Sequence, residues 1–284
     1  MTINLFSYNT EASTPDNLFS FNQVVAWSLR KAFTKIGIET RFVGDGQFWE
    51  EDIPKADHSI VISGFVMRTI RDDPTFHHKV RQATKGKLTL YLDADYAHWW
   101  KFFDQVFTLA KPHAKSSEKY VYAGWGADPE YCYPEQGEKA VFLDSLMYNY
   151  YEKRFNKIYD IYKETLSTCN IKVHNPIPSY RGTKRIIWLE MQEILRKCHF
   201  YCLTQLGEGG LTRIEAATCG ALLVVPEVFS KLRCISSLEH RVWKTREDLV
   251  KILNTKTNIK AIRKKALEHS WDKVVKRMLP YLEA

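Results

Sequence analysis

Apolar positions in the first half of the chain switch repeatedly between a period of two and a period near 3.6. Ile3–Tyr8 is a short apolar run predicted to form a buried strand, and the polar stretch Asn9–Ser20 a long loop. A helical pattern over Phe21–Ile36 puts Val24, Val25, Trp27, Leu29 and Phe33 on or beside one side. Gly37 follows where a left-handed C-cap is expected. Glu39–Val43 reads as a strand. His58–Gly64 is almost continuously β-branched, as expected for a strand covered on both faces. A helix near Pro74–Thr84 leads to predicted strands at Leu88–Leu92, Gln105–Leu109 and Tyr120–Ala123. This alternation implies a parallel, Rossmann-like sheet.

The second half repeats the pattern. Strands are predicted at Ala140–Leu143, Ile171–His174, His199–Thr204 and Ala221–Pro226. Helices are predicted at Tyr150–Leu166, Trp188–Lys197, Leu211–Cys219, Arg246–Leu253 and Ile259–Leu279, with a Pro-rich loop at Asn175–Gly182. A Pro/Gly/Glu stretch at Pro134–Glu138 separates the two patterns, giving expected domains 1–136 and 137–284, with the final helix free to pack back on the first. Two such domains face to face would leave a cleft at the carboxyl ends of their strands, where open α/β sheets bind ligands.

Length and composition fit this division, since 284 residues suggest two domains, and 45% hydrophobic with 26% charged residues is ordinary for a globular chain. The opening MTINLFSYNTEAST has neither a basic n-region nor a long apolar h-region, so no secretory signal is expected. No apolar run reaches the roughly eighteen residues of a transmembrane helix. The cysteines (Cys132, Cys169, Cys198, Cys202, Cys219, Cys234) are scattered without a CxxC pair, which suits reduced thiols and a cytoplasmic location better than disulfides or zinc.

The net charge of +8 is unevenly placed. Residues 1–137 carry 15 Lys+Arg against 17 Asp+Glu, whereas 138–284 carry 26 against 16. The excess positive charge therefore belongs to the second half and points to an anionic partner there, whether a phosphate-bearing small molecule, a nucleic acid or a membrane surface.

The segment Gln205–Pro226 (QLGEGGLTRIEAATCGALLVVP) is the most informative. Gly207, Gly209 and Gly210 allow close backbone approach to a ligand, and the helix beginning near Leu211 offers unpaired N–H groups at the positive end of its dipole, a site for phosphate. Glu208 precedes this helix and Glu215 follows seven positions on, so both carboxylates can address one cleft about two turns apart. Paired acceptors beside a phosphate site suit vicinal hydroxyls.

Glu208 and Glu215, followed by Gly220-Ala221 and an apolar strand, resemble the Glu-x7-Glu motif of retaining GT-B glycosyltransferases, especially the family-4-like group. Gly124–Pro134 (GWGADPEYCYP) resembles the stretch that ends the first domain in that group, and His269–Val274 (HSWDKV) a segment of its final helix. The resemblance implies an α/β chain of the GT-B class, two Rossmann-like domains with parallel sheets facing a central cleft. It further implies that Glu208 binds donor-sugar hydroxyls, that Glu215 binds the ribose hydroxyls, and that the backbone of Gly209, Gly210, Leu211 and Thr212 holds sugar and diphosphate. Asp144-Ser145 stands where the family has Gly-Arg; Arg181 and Lys184 are the better substitutes for a phosphate clamp, with Lys153 or Arg154 an alternative source of charge.

Asp93-Ala94-Asp95 after a predicted strand is also a DxD string that could bind Mg or Mn, but the later Glu pair favours the GT-B reading. There, Asp93 and His98, with Asp95, become candidates to orient the acceptor or stabilise the transition state, while His77, His78 and His113 read as surface or packing residues. The expected reaction transfers a sugar from a nucleotide-diphosphate sugar, such as a UDP- or GDP-sugar, with retention. Helix dipole and basic groups stabilise the leaving diphosphate, so no metal or other cofactor is required. The acceptor is left open among glycans, lipid-linked sugars, small molecules and modified nucleic acid. Two alternatives remain: a nucleic-acid-interacting protein, including a transferase acting on a modified DNA base, and a catalytically silent sugar-nucleotide binder.

Overall fold

A computed structural model describes residues 1–7, 14–18, 21–44, 52–62, 75–92, 102–108, 119–135, 137–144, 153–175, 187–204, 210–231 and 233–284. The chain divides into two units, Met1–Gly126 with Trp271–Ala284, and Ala127–Ser270. The division thus falls at Gly126–Ala127, upstream of the Pro/Gly/Glu stretch.

In the first unit, strands β1 (Thr2–Phe6), β2 (Glu39–Val43), β3 (His58–Ile62), β4 (Leu88–Leu92), β5 (Gln105–Thr108) and β6 (Tyr120–Tyr122) form one sheet in the order β2-β1-β3-β4-β5-β6. Every neighbouring pair is parallel. Helices α1 (Phe21–Lys35) and α2 (Phe76–Ala83) lie within this stretch. The apolar side of α1 is buried through Val24, Val25, Ala26, Leu29, Ala32 and Phe33, and Gly37 follows it at φ +78° in the expected left-handed position. Phe6, Val43, Val61, Val80, Leu88, Leu90, Phe103 and Val106 form one core cluster. Consecutive residues of β3 and β5 are buried, as strands covered on both faces require.

The second unit contains β7 (Ala140–Leu143), α3 (Lys153–Thr168), β8 (Lys172–His174), α4 (Trp188–Lys197), β9 (Phe200–Cys202), α5 (Leu211–Thr218), β10 (Leu222–Pro226), α6 (Arg233–Ser236), β11 (His240–Trp243), α7 (Arg246–Asn254) and α8 (Ile259–Ala266). Its sheet runs β11-β10-β9-β7-β8, again entirely parallel. Renumbered from its own first strand, this is the order 2-1-3-4-5, the same as the first five strands of the other sheet. The edge strand β11 went unpredicted because HRVW mixes charged and apolar residues without a clean alternation.

The expected continuous helix Ile259–Leu279 is two helices. α8 ends at Ala266, and α9 (Trp271–Glu283) starts after an extended Ser270 at φ −71°, ψ 154°. Ser270 pairs with Ala127 in a parallel bridge, so its backbone serves a tertiary contact in place of a helical turn. α9 packs on α1 in the first unit, with Lys35 3.6 Å from Asp272.

Tyr162 ties three elements of the second unit together. Its hydroxyl donates to the Val224 carbonyl at 2.8 Å and accepts from the Trp243 indole at 2.7 Å, with no part of the residue exposed. Tyr162→Phe leaves the buried Trp243 N–H unsatisfied and takes one of two donors from the Val224 carbonyl, which keeps the Leu203 N–H, an expected loss of about 1–3 kcal/mol in chemical denaturation.

Candidate functional site

In a sheet of order 2-1-3-4-5 the connections leave in opposite directions from strands 1 and 3, and ligands bind beyond the carboxyl ends of that pair. In the second unit the pair is β7 and β9. Beyond them, Asp144 N–H donates to the Cys202 carbonyl at 3.1 Å, Leu203 N–H donates to the Val224 carbonyl at 3.0 Å, and the Thr204 hydroxyl donates to the Asp144 carbonyl. These bonds fix the floor on which the helix α5 stands.

Asp144 is fully buried, and its carboxylate accepts the Tyr201 hydroxyl at 2.6 Å. Tyr201 lies against Phe142, its register partner on β7, with ring centroids 5.2 Å apart and planes within 4°. Burial pushes the Tyr201 phenol well above its usual range, the Asp144 charge adds to that, and the Arg213 guanidinium opposes it. Asp144, at the position where the resemblance expects Gly-Arg, is therefore a buried structural carboxyl closing the β7–β9 end. Among the described residues, Arg213 places a cation at this end, 2% exposed in the first turn of α5. Its side chain lies directly on Gly210, where an added Cβ would meet Arg213 Cδ and Nε at 2.7 Å. Gly210 caps α5 in non-helical geometry (φ −140°, ψ 76°), and Leu211 and Thr212 begin the helix.

Glu215, one turn further along α5, is 3% exposed. The Trp188 indole N–H donates to Glu215 Oε1 at 2.7 Å. Burial pushes this carboxyl up to about 7; the Trp188 indole and the Gln192 amide pull it down, and the Asp128 carboxylate pushes it further up. Gln192 also accepts from the Cys132 thiol at 3.1 Å, and Trp188 packs against Tyr131 with centroids 5.1 Å apart. Asp128, 4% exposed, accepts the Glu130 N–H at 3.0 Å and so turns the chain into the segment that carries Tyr131 and Cys132. A carboxyl in this setting can accept hydrogen bonds from a hydroxylic ligand once ionised.

Of the residues singled out from sequence, Gly210, Leu211, Thr212 and Glu215 come together at the start of α5. Glu208, Gly209, Asp93, Asp95, His98, Arg181 and Lys184 lie outside the described residues. One sequence expectation needs correcting on the count itself. Six residues separate Glu208 from Glu215, one fewer than Glu-x7-Glu demands, and Gly207 occupies the motif's first position. Sequence reasoning missed Trp188 and Gln192, although their i, i+4 spacing puts both on one side of α4. It also missed Asp128 and Arg213. His77 stacks on Phe102 at 4.6 Å, the packing role expected of it.

No family model matches the chain, and no curated protein matches it in sequence. Solved structures match it in fold. Sucrose-phosphate synthase from Thermosynechococcus elongatus aligns over 99% of this chain and 98% of its own, with TM-score 0.63 and 10% identity. CalG4, the calicheamicin glycosyltransferase, aligns over 99% and 98%, with TM-score 0.51 and 10% identity. The UDP-GlcNAc 2-epimerase of Methanocaldococcus jannaschii, solved with UDP-GlcNAc and UDP, covers 99% of each chain, with TM-score 0.50 and 9% identity. The chain has the α/β fold of the GT-B glycosyltransferases, with two parallel sheets of six and five strands. Among the described residues no helix is long and apolar enough to cross a membrane.

Proposed function

We propose that this chain is a glycosyltransferase that moves a sugar from a nucleotide-diphosphate sugar to an acceptor, with retention at the anomeric carbon and without a metal. The observation that carries the reading is the glycine-capped helix α5, with buried Glu215, at the carboxyl ends of the β7–β9 pair in a chain of this fold. CalG4 is a glycosyltransferase by name, and this chain aligns with nearly the whole of it and of sucrose-phosphate synthase. The epimerase was solved with UDP-GlcNAc and UDP, which supports a sugar nucleotide, here a UDP- or GDP-sugar, as the ligand of such a chain.

In this reading the backbone N–H groups of Gly209, Gly210, Leu211 and Thr212 and the helix dipole receive the diphosphate and the sugar. Glu215 accepts the ribose hydroxyls, and Glu208, one position off the motif, accepts hydroxyls of the donor sugar. Arg213 places a cation beside the helix start, and Arg181 and Lys184 add a clamp. Positive charge fixed at the leaving diphosphate stabilises the departing oxygen as the anomeric carbon gains oxocarbenium character. Asp93 and His98 orient the acceptor, a glycan, lipid-linked sugar, small molecule or modified nucleic acid. The free thiols Cys132, Cys169, Cys198, Cys202 and Cys219 support a reducing, cytoplasmic setting.

Thermal-shift measurements with UDP-, GDP- and ADP-sugars test the donor site. A ligand at about a hundred times its Kd stabilises by about 2.7 kcal/mol, a rise of several degrees. The rise is expected with one nucleotide class and is expected to vanish in Glu215→Ala; no response to any nucleotide overturns the assignment. The epimerase neighbour and the structural use of Asp144 favour one second reading, a sugar-nucleotide enzyme or binder with no acceptor. Release of free nucleoside diphosphate only when acceptor is added separates the two.

A further inference from the structure

We propose that Trp188 is a positioning residue of the donor site, whose indole N–H holds the Glu215 carboxyl for the ribose hydroxyls and favours the ionised form that those hydroxyls require. The inference rests on the reading of Glu215 as the ribose acceptor. Trp188 opens α4, is 7% exposed, and packs its ring against Tyr131 while its N–H donates to Glu215 Oε1 at 2.7 Å. A side chain fixed in this way sets the direction of the carboxyl it bonds.

Among the described residues, the charged and titratable groups around Glu215 come from four parts of the second unit. α4 presents Trp188 and Gln192, and the segment before β7 presents Asp128 and Cys132. β9 presents Tyr201, and α5 itself carries Arg213 and Cys219. Arg263 of α8 donates to the Cys132 carbonyl at 2.6 Å and the Thr218 carbonyl at 2.5 Å, fixing that segment against the end of α5. Burial drives the Cys132 thiol and the Tyr201 phenol well above their ordinary values, while the Glu215 carboxyl stands at about 7. Ribose hydroxyls donate to a carboxylate and poorly to a carboxylic acid. Bound ribose therefore selects the ionised form, and the proton of the acid leaves to solvent.

Trp188→Phe keeps an aromatic ring but removes the donor that favours the charged form. A hydrogen bond to a charged group corresponds to about one pH unit or more, so the midpoint for nucleotide binding should move upward by about one unit. Titration calorimetry with UDP and GDP between pH 5.5 and 8.5 reads this. The variant is expected to bind about fivefold more weakly than wild type near pH 7 and within about threefold of it at pH 8.5. The ligand-free arm follows the Trp188 Nε1–H resonance, assigned by its loss in Trp188→Phe. It should shift with pH through the Glu215 titration and stay flat in Glu215→Gln. A uniform loss of affinity at every pH, an unchanged profile, or a flat indole resonance in a wild type that binds nucleotide overturns the role of Trp188 alone. A wild type that binds neither nucleotide while the indole resonance titrates overturns the ribose reading, and this inference with it.

Discussion

Glu215→Gln is expected to make the protein more stable at pH 8 and to abolish most of its affinity for a nucleoside diphosphate. Glu215 is 3% exposed and its carboxyl is raised from an ordinary 4.5 to about 7. Below pH 4.5 the group is protonated in folded and unfolded chains alike and contributes nothing to the pH dependence. Between 4.5 and 7 the unfolded chain has lost this proton and the native state keeps it, so stability falls as pH rises; above 7 the full cost persists. A shift of this size corresponds to ~3 kcal/mol, a substantial part of the 5–15 kcal/mol that holds a typical domain together. Glutamine accepts the Trp188 N–H as glutamate does, and its amide turns a donor toward a pocket that already holds the Asp128 carboxylate. Denaturation from pH 5 to pH 8 should therefore show a gain of ~3 kcal/mol at the upper end and little at the lower. A Gln variant with the wild-type slope would assign the titration to another group. Loss of at least tenfold in UDP or GDP affinity in the same variant would mark the familiar opposition between a strained binding group and fold stability.

The parallel α/β architecture was legible because its strands are continuous apolar runs and its helices carry one apolar side. Ala221–Pro226 and His58–Ile62 are apolar or β-branched almost throughout, and burial on both faces follows. Less legible was anything decided by tertiary contact. The break at Ser270 answers to a bridge with Ala127, far away in sequence, and the local signal is slight, a serine of N-cap type before Asp272 in the first turn of α9. The candidate site divides the same way. Gly210 and Glu215 stand out through glycine content and the helix start. Trp188, Gln192 and Asp128, which adjust the Glu215 carboxyl that burial raises, belong to other segments and could be joined to it only through the fold. Asp144 shows what a departure from the family pattern can mean: at the position where the resemblance expects Gly-Arg stands a buried carboxyl bonded to the Tyr201 hydroxyl.

Gly126→Ala is expected to be among the most damaging single-methyl additions at the described glycines. A Cβ at Gly126 would stand 2.6 Å from the Trp271 backbone nitrogen, 2.7 Å from its Cα and 2.6 Å from Cδ2. Two of these three atoms are backbone at the start of α9, so no rotamer change relieves the overlap. Neither strand can easily retreat, because Ala127 N–H donates to the His269 carbonyl at 2.9 Å and the adjacent pair Ala127 and Ser270 forms the parallel bridge. Trp271 is itself 4% exposed and lies 6.4 Å from the Tyr91 ring. Overpacking of this kind costs about 3 kcal/mol or more, so the chemical-denaturation midpoint should fall markedly. Gly137→Ala is the control, since nothing lies within 4 Å of its added Cβ, and an effect within about 0.5 kcal/mol is expected there. Combining Gly126→Ala with Trp271→Ala distinguishes the two sources of overlap. If the ring were the obstacle, the double variant would recover the cost of the added methyl. With the backbone as the obstacle, the methyl costs nearly as much in the Trp271→Ala background, which would give the GWG and HSW segments a structural reason to meet, independent of any ligand.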